Sequence, residues 1–167
     1  DHIIVFPTYD FYVEQFETFI AKITNGGILV YNEEDSEVKR VAEAATNPIG
    51  KIPYTTPKYE VKDGVTLLET PEGAMPIEVF GAHNLNNLAG AKWICQNMGV
   101  DEADFYEAIA SFKGASKRLE KIAEGKGKVA YKDFAHSPSK LAATTKAVKE
   151  QYPNRTLVAC LELHTYS

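Results

Sequence analysis

With 167 residues, 44% of them hydrophobic, and a net charge of −5, the chain can bury roughly 70% of its unfolded surface in a real core. The acidic balance, with lysines scattered and never massed in a basic run, weighs against nucleic acid and against an anionic membrane as partners. No segment reaches the ~20 apolar residues of a bilayer span, and no secretion-signal layout is present. Cys95 and Cys160 form neither a metal spacing nor a Cys-x-x-Cys pair. Read as buried free thiols, they suit a reducing, cytoplasmic setting.

In chain order, Phe11, Phe16, Phe19, Ile20 and Ile23 mark an amphipathic helix over 10–24, ended by Asn25-Gly26-Gly27. Ile28–Tyr31 is wholly apolar, as in a buried parallel strand. A second helix begins at Asn32-Glu33-Glu34-Asp35, with acids favourable at its N-terminus, and runs to Ala45. This rhythm predicts α/β layering. Pro48, Pro53, Pro57, Pro71 and Pro76 then break the pattern. Val65–Leu68 and Pro76–Phe80 read as strands, with turns at Lys62-Asp63-Gly64 and Pro71-Glu72-Gly73, forming an antiparallel or mixed edge to the sheet. Asn84–Met98 reads as a helix closing at Gly99, and Asp101 as the cap of another to Ser111.

Around Phe112–Lys117, with Gly114 in the middle, the pattern breaks again, and a domain boundary is expected there. Next come a strand at Leu119–Glu124, the turn Gly125-Lys126-Gly127, a strand at Val129–Asp133, a helix from Ser137 to Gln151 and a strand at Leu157–Leu161. That β-turn-β-α-β order opens a second α/β domain. The chain starts on Asp1 rather than Met, and both ends read as cuts.

Three short stretches place polar side chains where strands give way to helices, the usual position of α/β ligand sites. In Gly81-Ala82-His83-Asn84-Leu85-Asn86-Asn87, His83 or Asn84 shares a helix face with Asn87. An Asn can read an adenine edge with one donor and one acceptor; plain helix capping by Asn84 is the alternative. In Phe112-Lys113-Gly114-Ala115-Ser116-Lys117-Arg118-Leu119-Glu120, a cation on a hinge can reach into a cleft and hold phosphate, or simply sit in a solvated charge cluster. In Lys132-Asp133-Phe134-Ala135-His136-Ser137-Pro138, Ser137 and Pro138 suit a helix N-cap and first position. Asp133 is left to accept from ribose hydroxyls, and His136 to bond substrate or phosphate.

Taken together and in this order, the three stretches resemble the nucleotide-binding elements of the Mur ligases, the ATP-dependent amide-forming enzymes of bacterial peptidoglycan. The resemblance covers nearly the whole chain. It implies an α/β fold in which 1–111 is the second half of a central ATP-binding domain, 112–117 a hinge, and 118–167 the beginning of a Rossmann-like C-terminal domain. It implies that Asn84 and Asn87, with His83, hold the ATP base and ribose, that Asp133 contacts the ribose, and that Arg118 meets the nucleotide phosphate. Arg118 and His136 then count as catalytic. Lys117 stands where an Arg is usual, Lys132 where the family often has Asp, and Ser137 where it often has a second His.

Asp1-His2 matches the family's Asp-His pair, making His2 a candidate ligand of a second magnesium, with a plain surface histidine as the alternative. His164 matches a substrate-side position. The family's Gly-x-x-Gly-Lys-Thr phosphate loop does not occur in this sequence, nor does its UDP-sugar-binding N-terminal domain, so the chain reads as a fragment, inactive by itself.

The implied cofactors are ATP and Mg2+, and the implied partners are UDP-N-acetylmuramate and an amino acid or tripeptide. Asp133-Phe134-Ala135-His136 and Leu161-Glu162-Leu163-His164 look more like the recycling ligase that adds L-alanyl-γ-D-glutamyl-meso-diaminopimelate than the alternative, the L-alanine-adding enzyme. The competing class is a non-catalytic nucleotide-binding α/β module. An NAD-type Rossmann domain is disfavoured because no Gly-x-Gly-x-x-Gly follows a strand.

Overall fold

Local capping chemistry sets the first two helices in the computed structural model, which describes residues 5–162. The Thr8 hydroxyl accepts from the Phe11 N–H at 3.1 Å and opens α1 (Tyr9–Ala21). After β1 (Ile28–Asn32), the Asp35 carboxylate accepts from the N–H groups of Glu37 and Val38, each at 3.0 Å, and opens α2 (Ser36–Ala44). The chain returns as β2 (Gly50–Tyr54), which pairs parallel with β1, Ile28 opposite Gly50 and Asn32 opposite Tyr54. Val13, Ile20 and Val41 form the core between these elements, joined by Ile23, Leu29, Ala45 and Ile49. The Asn47 amide donates to Ile20 O in the last turn of α1 and to Ile23 O just beyond it, at 3.1 and 3.3 Å.

The following segment builds a separate antiparallel sheet of β3 (Tyr59–Lys62), β4 (Val65–Thr70) and β5 (Gly73–Ile77), in that spatial order. Its first turn, Asp63-Gly64, has φ of 51° and 78°, the doubly left-handed form that matches hairpin twist. After α3 (Ala82–Asn97) and α4 (Glu102–Ala110) comes an antiparallel hairpin, β6 (Glu120–Gly125) and β7 (Lys128–Lys132), turning through Lys126-Gly127 with φ of 50° and 73°. The last helix, α5 (Pro138–Gln151), has Pro138 at its first position.

Phe80, Leu119 and Ala147 make a second core, with Tyr131 and Val148 against it. Gln151 is nearly buried and fully used. Its amide donates to Gly64 O at 2.6 Å, and its carbonyl oxygen accepts from the buried Thr66 hydroxyl at 3.0 Å.

The chain divides into two compact units that interleave in sequence. Among the described residues, one holds 5–56 and Asn86–Val100, and the other holds Pro57–Leu85 and 101–162. The expected hinge at 112–117 lies within the second.

Several expectations are corrected. Residues 50–54 form a strand despite Pro53, because β2 has β1 as its sheet neighbour and a missing N–H is tolerated at an edge. Strand β3 was not foreseen, and the proline-broken region forms a sheet of its own rather than an edge of the first. Strand β5 ends at Ile77, so Glu78–Phe80 is a connection. Leu157–Leu161 is not a strand, and Val158 stands 86% exposed. Asp101 holds the N-cap position of α4 in extended conformation but makes no side-chain cap bond, and Ser137 likewise makes none at α5. Cys95 and Cys160 are free thiols, yet Cys95 is only half-buried and Cys160 is exposed. Among the described residues no helix is long and apolar enough to cross a membrane.

Candidate functional site

The start of α3 is fixed by a residue that has to be glycine. Gly81 has a φ of +87°, and a Cβ built there would stand 2.5 Å from the Ala147 Cβ of α5. A side chain would meet both penalties, so the helix begins in close approach to α5. The N–H groups of Asn84 and Leu85 donate to Gly81 O at 3.0 and 3.1 Å. Asn84 is already inside the helix, and its amide donates back to Phe80 O at 2.9 Å. It is therefore not the capping residue that the alternative reading required.

His83 is half-buried, and its imidazole is held below the usual histidine range. Burial is the main cause; the Asp133 carboxylate pulls the other way, and the Arg118 guanidinium adds to the lowering. His83, Arg118 and Asp133 thus share one electrostatic neighbourhood.

Arg118 sits between two left-handed residues, Lys117 with φ 57° and Leu119 with φ 48°. Such conformations cost a non-glycine residue about 1–3 kcal/mol each and persist only when surrounding bonds enforce them. Those bonds are present. Phe134 N–H donates to Lys117 O at 2.9 Å, and Leu119 N–H donates to Asp133 Oδ2 at 2.8 Å. From the other side, Glu120 Oε2 accepts from Lys117 N–H at 2.8 Å and from the Ser116 hydroxyl at 3.1 Å. These two bonds, the backbone one first, hold the Glu120 carboxyl below its ordinary range. Arg118 itself is exposed, displayed on a turn clamped at both shoulders.

Asp133 is also the keystone of the next loop. Its Oδ1 accepts from Ala135 N–H at 2.7 Å and from the Thr144 hydroxyl of α5 at 3.2 Å. One carboxylate therefore ties the Arg118 turn, its own loop and α5 together. In that loop His136 Nδ1 lies 2.8 Å from Phe134 O, so Nδ1 carries the proton, and Nε2 accepts from the Lys140 ammonium at 3.3 Å. Arg118 can offer an anionic ligand a guanidinium near His83, and Lys140 an ammonium beside His136.

The structure thus brings together His83, Arg118 and Asp133, with Asn84 next to His83 on α3 and His136 in the loop that Asp133 opens. Asn87, one turn beyond Asn84 on α3, is exposed and belongs to the other compact unit. His2 and His164 lie outside the described residues. Two contributors were not foreseen, Glu120 and Lys140, and outside the site the pairing of Asn86 was not foreseen either. Lys140 was findable, four residues after His136 and in the first turn of the helix that follows it. Asn86 bonds Glu34 and Thr56, a pairing distant in sequence. No group of three metal-ligating side chains occurs among the described residues.

No protein-family profile matches the chain. It is 28% identical over 179 residues to the UDP-N-acetylmuramate--L-alanine ligase of Caldicellulosiruptor bescii, covering 100% of this chain and 39% of that protein. The Porphyromonas gingivalis protein of the same name is 27% identical over 186 residues, with 100% and 39% covered. Among solved structures, MurF from Acinetobacter baumannii superposes with a TM-score of 0.70 at 18% identity, over 87% of this chain and 34% of that one. The UDP-N-acetylmuramate-alanine ligase MurC from Thermotoga maritima gives 0.66 at 18% identity, over 92% and 37%. Folylpolyglutamate synthetase from Lactobacillus casei gives 0.60 at 15% identity, over 87% and 40%.

The fold is therefore the mixed α/β fold of these structures. In sequence the chain is similar to UDP-N-acetylmuramate--L-alanine ligases, and it spans about two fifths (39%) of the curated relatives' length.

Proposed function

We propose that this chain supplies the nucleotide-holding part of an ATP-dependent Mur-type ligase acting in peptidoglycan synthesis in the cytoplasm. The observation that carries the reading is the clamped display of Arg118, with bonds from Asp133 and Phe134 holding both shoulders of its turn. A turn fixed in advance presents its guanidinium from a set backbone position, so less reorganisation is needed when phosphoryl charge develops. In this reading Asn84, Asn87 and His83 hold the base and ribose, Arg118 meets the transferring phosphate, and His136 with Lys140 meets phosphate or substrate. Asp133 keeps the Arg118 turn in shape and faces the ribose.

In the whole protein, a carboxylate oxygen of UDP-N-acetylmuramate would attack the γ-phosphorus and release ADP. The amine nitrogen would then attack the acyl carbon, expel phosphate and lose a proton. Magnesium would screen the phosphate charge. The described residues include no three-donor group for it, and no residue role above depends on it.

The names of the curated relatives favour L-alanine as the amine. The tripeptide that Asp133–His136 and Leu161–His164 point to is the competing substrate. Phosphate release by the full-length protein tests the reading, with ATP, UDP-N-acetylmuramate and either L-alanine or the tripeptide. Faster release with L-alanine is expected, and Arg118→Ala should lower kcat/KM for ATP by about a hundredfold. Faster release with the tripeptide would identify the recycling ligase. No release with either amine would leave a nucleotide-binding module and sink the ligase reading.

A further inference from the structure

The Glu34–Asn86 pairing lies outside the site just described, at the carboxyl ends of the parallel strands β1 and β2. That edge is where open α/β sheets present ligands. Glu34 follows β1, Thr56 follows β2, and Asn86 belongs to the second turn of α3. Glu34 Oε1 accepts from Thr56 N–H at 3.0 Å, and Oε2 accepts from the Thr56 hydroxyl at 2.7 Å and from the Asn86 amide at 3.0 Å. The same amide lies 3.2 Å from Thr56 Oγ1 and 3.3 Å from Asn32 Oδ1, which also accepts from Glu34 N–H at 3.0 Å. The two amide hydrogens of Asn86 are thus shared among three acceptors from both strand ends.

Four residues further along the same face comes Gly90. A Cβ there would stand 2.9 Å from Cζ of Tyr54, the last residue of β2. Helix α3 is therefore pinned to the strand ends at two successive turns of one face. A helix held at positions i and i+4 cannot rotate about its axis. Its neighbouring positions then point in fixed directions, Asn87 one step around from Asn86 and Asn84 on the side away from it.

We infer that Glu34 and Asn86 are positioning residues that set the rotation of α3 and so aim the asparagines that select the nucleotide base. The inference rests on the reading of α3 as the base-holding helix. Glu34 and Asn86 touch no ligand themselves; they act through Asn84 and Asn87. Loss of the clamp lets the helix turn, which blurs discrimination between adenine and guanine.

The test is a mutant cycle in the full-length ligase with Glu34→Ala, Asn86→Ala and the pair, reading kcat and KM for ATP and for GTP. Each single change should lower the ATP-over-GTP ratio of kcat/KM by about tenfold, and the double no further, because both remove one coupled unit. The KM for UDP-N-acetylmuramate should stay unchanged. Thr56→Val removes one hydroxyl and serves should the alanine variants fold poorly; it should move the ratio the same way, with Thr56→Ser restoring it. A ratio unmoved by Asn86→Ala and Thr56→Val but moved by Asn84→Ala would overturn the inference and leave the base-holding reading standing. A ratio also unmoved by Asn84→Ala and Asn87→Ala would remove that reading and this inference with it.

Discussion

At the scale of single residues, His83 couples the candidate site to pH. Burial disfavours its charged form, so its folded pKa lies below the 6.5 of a free imidazole. As pH falls through that value the unfolded chain takes up the proton first, which favours unfolding. The contribution of His83 is complete above the unfolded pKa and is lost as pH drops toward the folded one. Denaturant unfolding at about pH 7.5 and about pH 5.5 should therefore show the wild type losing stability, with a smaller loss in His83→Gln. Equal losses would assign the acid sensitivity to other groups. The same neighbourhood stores backbone strain, since Lys117 and Leu119 are left-handed without being glycine. Asp133, with three accepted bonds from the turn, its own loop and α5, holds Leu119, while Glu120 and the Phe134 N–H hold Lys117.

At the scale of elements, what the sequence made legible was whatever closes its own bonds locally. The glycine turns at Asp63-Gly64 and Lys126-Gly127 were read where they stand, and the acidic start of α2 at Asn32–Asp35 was placed next to its Asp35 cap, whereas the Thr8 cap of α1 went unread. Strands need partners from elsewhere, and there the reading failed in both directions. Pro53 hid β2, while the apolar run at 157–161 was read as a strand although no described residue pairs with it. The site divides the same way. Arg118 and Asp133 were visible as motif residues, but the bond from Leu119 N–H to Asp133 forms only once the β6–β7 hairpin brings them together. The two hairpin turns also allow a comparison within one molecule. Asp-Gly is a favoured pair for a turn with two left-handed residues, whereas Lys126 takes φ 50° without a local bond to favour it. Lys126→Asn should therefore raise stability by about 0.5–1 kcal/mol, read as a higher denaturant midpoint at unchanged slope. A lower midpoint would mean that the lysine side chain does something there that the turn geometry does not show.

At the scale of the whole molecule, the chain builds two cores from interleaved stretches. Val13, Ile20 and Val41 serve one, and Phe80, Leu119 and Ala147 the other. The proline-rich strands are fastened to the second unit by Gln151, through the Gly64 carbonyl and the Thr66 hydroxyl. Units with separate cores can open with separate free energies, and hydrogen exchange reports each amide's own opening. Val41 is 4% exposed, so Val41→Ala removes two packed methyl groups from the first core and should cost about 2 kcal/mol. Protection should fall in α1, α2, β1 and β2 by that amount and stay at wild-type level in β6, β7 and α5. An equal fall in all of them would show that the two cores unfold as one cooperative body, and the division of the chain into two units would then describe its packing without describing its stability.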